Sequence, residues 1–133
     1  MKKINYLIYL ISILLNKKNF ISNIGSQNEN KESIFIEQFI KKTENKSFIE
    51  FGFHPFEFNT IHLMIKKYSG TLVDANIKNV LFIKLLNFFH GYNVNSICQY
   101  LNKENIIKII KKNYFIFSID IDGNDYWLTK ELL

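Results

Sequence analysis

Tyr114-Phe115-Ile116-Phe117-Ser118-Ile119-Asp120-Ile121-Asp122-Gly123-Asn124-Asp125-Tyr126-Trp127 is an apolar run that releases three carboxylates and a glycine at its end. A short continuous apolar stretch rich in aromatic and β-branched residues, stopped by acid and glycine, reads as a strand buried on both faces whose end opens onto the rim of an α/β site. Two upstream segments carry the same signal: Phe48-Ile49-Glu50-Phe51-Gly52 and Thr71-Leu72-Val73-Asp74. Helical patterns fall between them. Pro55 suits the first turn of a helix running to about Tyr68, with Gly70 after it. Val80 to Phe89 forms the next, ended by Gly91, and Val94 to Cys98 a further strand. A helix from about Lys103 to Lys112, capped by Asn102, buries Ile106, Ile107, Ile109 and Ile110 and leads to the last strand, Tyr114 to Ile121. Strand and helix alternate strictly from residue 48, which predicts an α/β, three-layer, Rossmann-like fold with right-handed crossovers and a parallel sheet.

The N-terminal third reads differently. Ile4, Leu7, Ile8, Ile11, Leu14 and Leu15 fall on one helical face, with Lys2 and Lys3 before them and Lys17 and Lys18 after. The run imitates a signal sequence, yet it is shorter than the ~20 residues a bilayer span needs, and no small-x-small cleavage site follows. The pattern is that of a helix that docks on the rest of the chain or makes peripheral membrane contact through residues 4–15. Ser22 to Glu32 is polar and predicts a linker; a short helix capped by Ser33 follows, with Phe35, Ile36, Phe39 and Ile40 on its apolar side. Residues 1–45 are thus expected to be N-terminal helices and a polar linker, and residues 46–133 the α/β unit.

Of the 133 residues 47% are apolar and 16% aromatic, enough side-chain area to offset chain entropy over most of the length. The net charge is +5, but every basic residue is lysine. Arginine, the side chain that forks onto guanine and phosphate, is absent, so nucleic-acid binding is not expected and the lysines read as solvated helix faces. Cys98 stands alone, which excludes a disulfide framework and fits a reducing, cytoplasmic location, with membrane association through the N-terminal run, as a surface helix or as a signal or anchor, the alternative.

In a doubly wound sheet, ligands collect at the carboxyl ends of the strands. Glu50, Gly52, Asp74, Cys98, Gln99, Asp120 and Asp122 are all expected on that rim, with His54 close behind Gly52. Gly52 would let the backbone approach a ligand. Asp74, roughly 20 residues on, has the placement of a carboxylate that accepts ribose hydroxyls. Gly52 is followed by Phe53, His54, Pro55 and Phe56, so the later glycines of a diphosphate cradle are missing. A nucleoside without phosphates, such as S-adenosyl-L-methionine, is the better match.

The first strand and its Gly52 resemble the first motif of class I methyltransferases dependent on S-adenosylmethionine. Asp120-Ile121-Asp122-Gly123 within the decapeptide from Ser118 to Trp127 resembles the fourth-strand signature of FkbM-like methyltransferases. The resemblance covers residues 48–133. It implies a sheet order of 3-2-1-4, a cofactor lying across the ends of the first three strands against Glu50, Gly52, His54, Asp74, Cys98 and Gln99, and O-methyl transfer to a sugar, glycan or small metabolite, with Asp120 and Asp122 as the catalytic acids. It also implies three further strands, so the chain is expected to be a core truncated after the fourth strand, completed by a longer product or by a partner chain.

Other chemistries compete for the acids. Asp120-x-Asp122 matches the metal-binding pair of nucleotide-sugar glycosyltransferases. Asp120, Asp122, Asn124 and Glu131 occupy EF-hand positions 1, 3, 5 and 12, but Asp125 replaces the turn glycine and no entering helix precedes them. No metal ligand is assigned. Asp125 reads as a helix-start residue, and a non-catalytic fragment or subunit is the remaining alternative. His54 is a general base or a structural loop histidine; Cys98 has no identifiable base partner and reads as strand-end packing more than as a nucleophile. Tyr126 and Trp127 read as core or pocket wall.

Overall fold

The computed structural model describes residues 2–25, 31–110, 113–121, 123 and 125–133. In chain order the elements are α1 (Lys2–Leu15), α2 (Lys17–Gly25), α3 (Lys31–Ile40), β1 (Ser47–Phe51), α4 (Ile61–Ile65), β2 (Ser69–Asp74), α5 (Ile77–His90), β3 (Val94–Cys98), α6 (Ile106–Ile109), β4 (Ile116–Ile119) and α7 (Asp125–Leu132). The four strands form one parallel sheet in the order β3-β2-β1-β4, with Ser47 opposite Ser69, Phe48 opposite Ile116 and Gly70 opposite Val94. The architecture is α/β and Rossmann-like, as the alternation predicts.

Side chains leave a strand alternately on its two faces, and the core divides accordingly. Phe48, Leu72 and Val94 point into a cluster with Ile13, Phe20, Ile24, Ile40, Leu63, Val80 and Leu86. Ile49, Phe51 and Val73 point the other way, onto Ile106, Ile109, Tyr114 and Leu128. Every residue of β1 is buried, because it is central in the sheet and covered above and below. Gly70 lies opposite Phe48, and a Cβ there would stand 2.2 Å from the Phe48 ring. A flat phenyl thus replaces the side chain that β2 lacks.

Local chemistry sets the helix ends. Asn76 caps α5 by accepting from Lys78 N at 3.0 Å, and Gly91, at φ +65°, closes it by donating to Asn87 O at 2.9 Å. The helix expected from Pro55 to Tyr68 shrinks to α4. Residues 54–57 fold instead into a tight turn in which His54 N donates to Glu57 O and Glu57 N to His54 O. Lys67, at φ +62°, ends α4. The helix expected over 103–112 is likewise short: Asn102 does accept from Glu104 N and Asn105 N, but α6 covers only 106–109, and residues 111 and 112 lie outside the described residues. β4 occupies the middle of the expected 114–121 run, although Phe115 N and Asp120 N still donate to Ser47 O and Phe51 O.

The N-terminus departs most from expectation. Asn16 breaks the helix, its side chain accepting from Lys18 N, and α2 takes up the segment from Lys17 to Gly25 that was expected to turn polar at Ser22. α2 is anchored by Phe20 and Ile24, both fully buried. α1 packs through Ile13 and Leu14, whereas Ile4, Leu7, Ile8, Ile11 and Leu15 of the expected face are exposed. Among the described residues no helix is long and apolar enough to cross a membrane.

Candidate functional site

β1 and β2 end side by side, and their ends are tied together. Gly52 N donates to Val73 O at 2.8 Å; Asp74 Oδ2 accepts from Phe53 N at 3.1 Å. The other Asp74 oxygen accepts from Asn76 N and from Asn79 Nδ2, and the Asn79 amide also donates to Phe53 O at 3.0 Å. The Asp74 carboxylate is therefore held in a fixed position beside the Gly52 loop, by donors from both the loop and the start of α5. Gln99 N donates to Asp74 O at 2.9 Å, which carries the β3 end into the same place.

Gly52 has φ +79°, and its need for glycine comes from the opposite side to the one expected. A Cβ there would stand 1.9 Å from the Asp120 carbonyl oxygen and 2.8 Å from the Asp120 carbonyl carbon. The absent side chain makes room for the end of β4, with Asp120 N donating to Phe51 O at 2.8 Å. Strand order changes direction between β1 and β4, and this contact lies at that switch point.

Over the strand ends lies a cleft of about 490 Å³ whose wall includes Gly52, His54, Asp74, Gln99, Tyr100 and Asp120. That volume lies within the ~300–1,000 Å³ of small-molecule sites. The sequence placed Gly52, Asp74, Gln99 and Asp120 on the rim and His54 close behind Gly52. It missed Tyr100 and its neighbour Leu101, the wall beyond β3; the available signal was their position directly after Gln99. It also missed Asn76 and Asn79, whose roles require knowing that α5 begins beneath Asp74. Asp120 is exposed to the cleft, and His54 is exposed with its ring 5.8 Å from Phe56. Asp122 lies outside the described residues.

Two expected rim residues stand elsewhere. Cys98 is exposed but does not line the cleft; its thiol donates to Ala75 O. Glu50 is fully buried on the face toward α4, away from the cleft wall. Its carboxylate accepts from Asn59 N at 2.9 Å, from Thr60 N at 2.8 Å and from the Thr60 hydroxyl at 2.6 Å. Period-two alternation is the reason: Glu50 follows Ile49 and shares the face of Phe48. Burial raises its pKa to about 7, against the pull of Thr60, Asn59 and Ser118 toward the ionised form. Glu50 ties down the residues that lead into α4 and is not part of the cleft wall.

Beyond β4 the chain turns back at once, because Asp125 Oδ1 accepts from Ile121 N, and α7 begins at Asp125. Tyr126 and Trp127 are exposed, not core; Trp127 forms part of a shallower hollow with Tyr100 and Leu101, and Lys103 Nζ lies 5.3 Å from its ring centre. Among the described residues no group of three or more His, Cys, Asp or Glu is placed to hold a metal ion. Comparison with protein-family models, with curated proteins and with solved structures gave no match.

Proposed function

We propose that the cleft binds S-adenosylmethionine and that the protein is an FkbM-like class I methyltransferase core that methylates an oxygen of a sugar or other small metabolite. The observation that carries this reading is the pairing of a fixed Asp74 carboxylate with a loop whose backbone donors are already used. Gly52 N, Phe53 N and His54 N donate to Val73 O, Asp74 Oδ2 and Glu57 O. A diphosphate needs such N–H groups free and converging on it; this loop offers none of the three. A ribose needs a carboxylate, and an ionised carboxylate has about four acceptor positions, so Asp74 keeps capacity for a hydroxyl beyond its three protein donors. Tyr100 and Leu101 supply an apolar wall for a base.

Methyl transfer breaks the sulfonium C–S bond as the C–O bond forms, leaving S-adenosylhomocysteine as a neutral thioether. The protein's share is in-line positioning and removal of the hydroxyl proton. Asp120, exposed in the same cleft as Asp74, would take that proton on this reading, with Asp122 two residues on in the sequence.

Titration calorimetry checks the reading directly. S-adenosylhomocysteine is expected to bind, and UDP with Mn²⁺ is not. Tyr100→Ala is expected to weaken S-adenosylhomocysteine by about tenfold, the value of one aromatic stacking contact, while Asp120→Asn leaves binding intact. Heat from UDP with Mn²⁺ and none from S-adenosylhomocysteine would replace the methyltransferase reading with the glycosyltransferase one.

A further inference from the structure

All twelve acidic residues lie in residues 29–74 and 104–133; residues 1–28 and 75–103 contain seven lysines and no acid. The fold brings these two acid-free segments together. They comprise α1, α2, α5 and β3, and α1 packs on α5, with His90 Nε2 3.3 Å from Ile13 O. Both packed helices turn apolar side chains to solvent. On α5 the buried residues are Val80, Ile83 and Leu86, and the opposite side carries Ile77, Leu81, Leu85 and Phe88, of which Phe88 is 82% exposed. Their spacing of four, four and three residues is one continuous helical stripe. The exposed Lys78 and Lys84 belong to the same helix. On α1, Ile4, Leu7, Ile8 and Ile11 are each at least 45% exposed.

We propose that this face is a docking surface for an anionic lipid membrane. Apolar stripes on helices that carry lysine and no carboxylate match an interface of acyl chains beneath phosphate headgroups. A second copy of the chain is the poorer occupant, since a two-fold contact would set two lysine-bearing, acid-free faces against each other. Nucleic acid would leave the stripes unburied. The mode is surface binding, because α1 and α5 have 14 residues each, about 21 Å of helix against a hydrocarbon core of about 30 Å. This inference does not depend on the nucleoside reading, and its test needs no cofactor.

The test is sedimentation of the full chain with vesicles of phosphatidylcholine alone and of phosphatidylcholine with 30% phosphatidylserine. Binding is expected only to the second, weakening as salt rises. Leu81→Gln with Phe88→Gln is expected to reduce binding by about tenfold or more, from the loss of two inserted side chains. Lys78→Gln with Lys84→Gln is expected to lose about fivefold per lysine at low salt. All four positions are exposed, so thermal unfolding of the variants should match the parent. Three results would overturn the proposal: no binding to phosphatidylserine vesicles at low salt, equal binding to both compositions, or a concentration-dependent dimer that the Leu81/Phe88 change abolishes.

Discussion

Alanine at Gly52 is expected to destabilise the protein by about 2–5 kcal/mol, combining about 1–2 kcal/mol for a left-handed backbone with a Cβ and about 1–3 kcal/mol for forced displacement of a packed neighbour. The displaced group is the Asp120 carbonyl, 1.9 Å from where the Cβ would stand. Main chain cannot swing aside as a flexible side chain does, and Asp120 N is held to Phe51 O at 2.8 Å. Gly123 isolates the conformational part of the cost. Its φ is +83°, yet nothing lies within 4 Å of an added Cβ, so Gly123→Ala should cost only about 1–2 kcal/mol. Urea unfolding of the two variants checks the difference; equal midpoints would mean that β1 and β4 do not approach each other as described.

The second large effect is a pH dependence centred on Glu50. Its folded-state pKa is raised to about 7 from 4.5 by burial. The folded chain therefore holds this proton between pH 4.5 and 7, where the unfolded chain has released it, and stability falls as pH rises through that window. The full change is on the order of 3 kcal/mol, complete above pH 7 and absent below 4.5. Glu37 acts in the opposite sense. Hydrogen bonds from Lys41 and Lys66 lower its pKa to about 2, so its contribution is present above 4.5 and is lost as pH falls toward 2. These two groups together set a stability maximum near pH 4.5. Denaturant unfolding at intervals from pH 4 to 8 should show the decline, and Glu50→Gln, which cannot ionise, should flatten it. A slope unchanged in Glu50→Gln would assign the proton to another group.

Sheet membership was legible because each strand carries its own signal, and strict alternation with helices leaves a parallel sheet as the arrangement that connects them. The rim was legible for the same reason: Gly52, Asp74, Gln99 and Asp120 are strand ends, and parallel strands end on one side. Glu50 shows where that reasoning stops. It too is near a strand end, but one residue of alternation turns its carboxylate to the helix face, and its partners Asn59 and Thr60 belong to a loop read from the sequence as helix. The helix expected from Pro55 failed because the pattern contained no sign that His54 and Glu57 would close a turn or that a buried carboxylate would accept from Asn59 N and Thr60 N. At the N-terminus, periodicity identified α1 but not which side would find a partner. That choice belongs to Asn16 and Phe20, which fold α2 back so that, among the described residues, Ile13 and Leu14 are the α1 side chains that join the apolar core.

The sheet is stitched from ladders of very different span. β1 meets β2 and β2 meets β3 through pairs such as Ser47 with Ser69 and Gly70 with Val94, whereas β1 meets β4 through Phe48 and Ile116. Closing the longest of these loops costs about 1 kcal/mol more chain entropy than closing either short one. We therefore expect β4 to join last during folding and to detach first as a subglobal unit, taking α7 with it. Amide hydrogen exchange reads this as weaker protection at Asp120 N and Phe115 N than at Gly52 N, and equal protection at the three would refute it. Such an excursion would carry away the cleft wall bearing Asp120 while the floor bearing Asp74 stays folded.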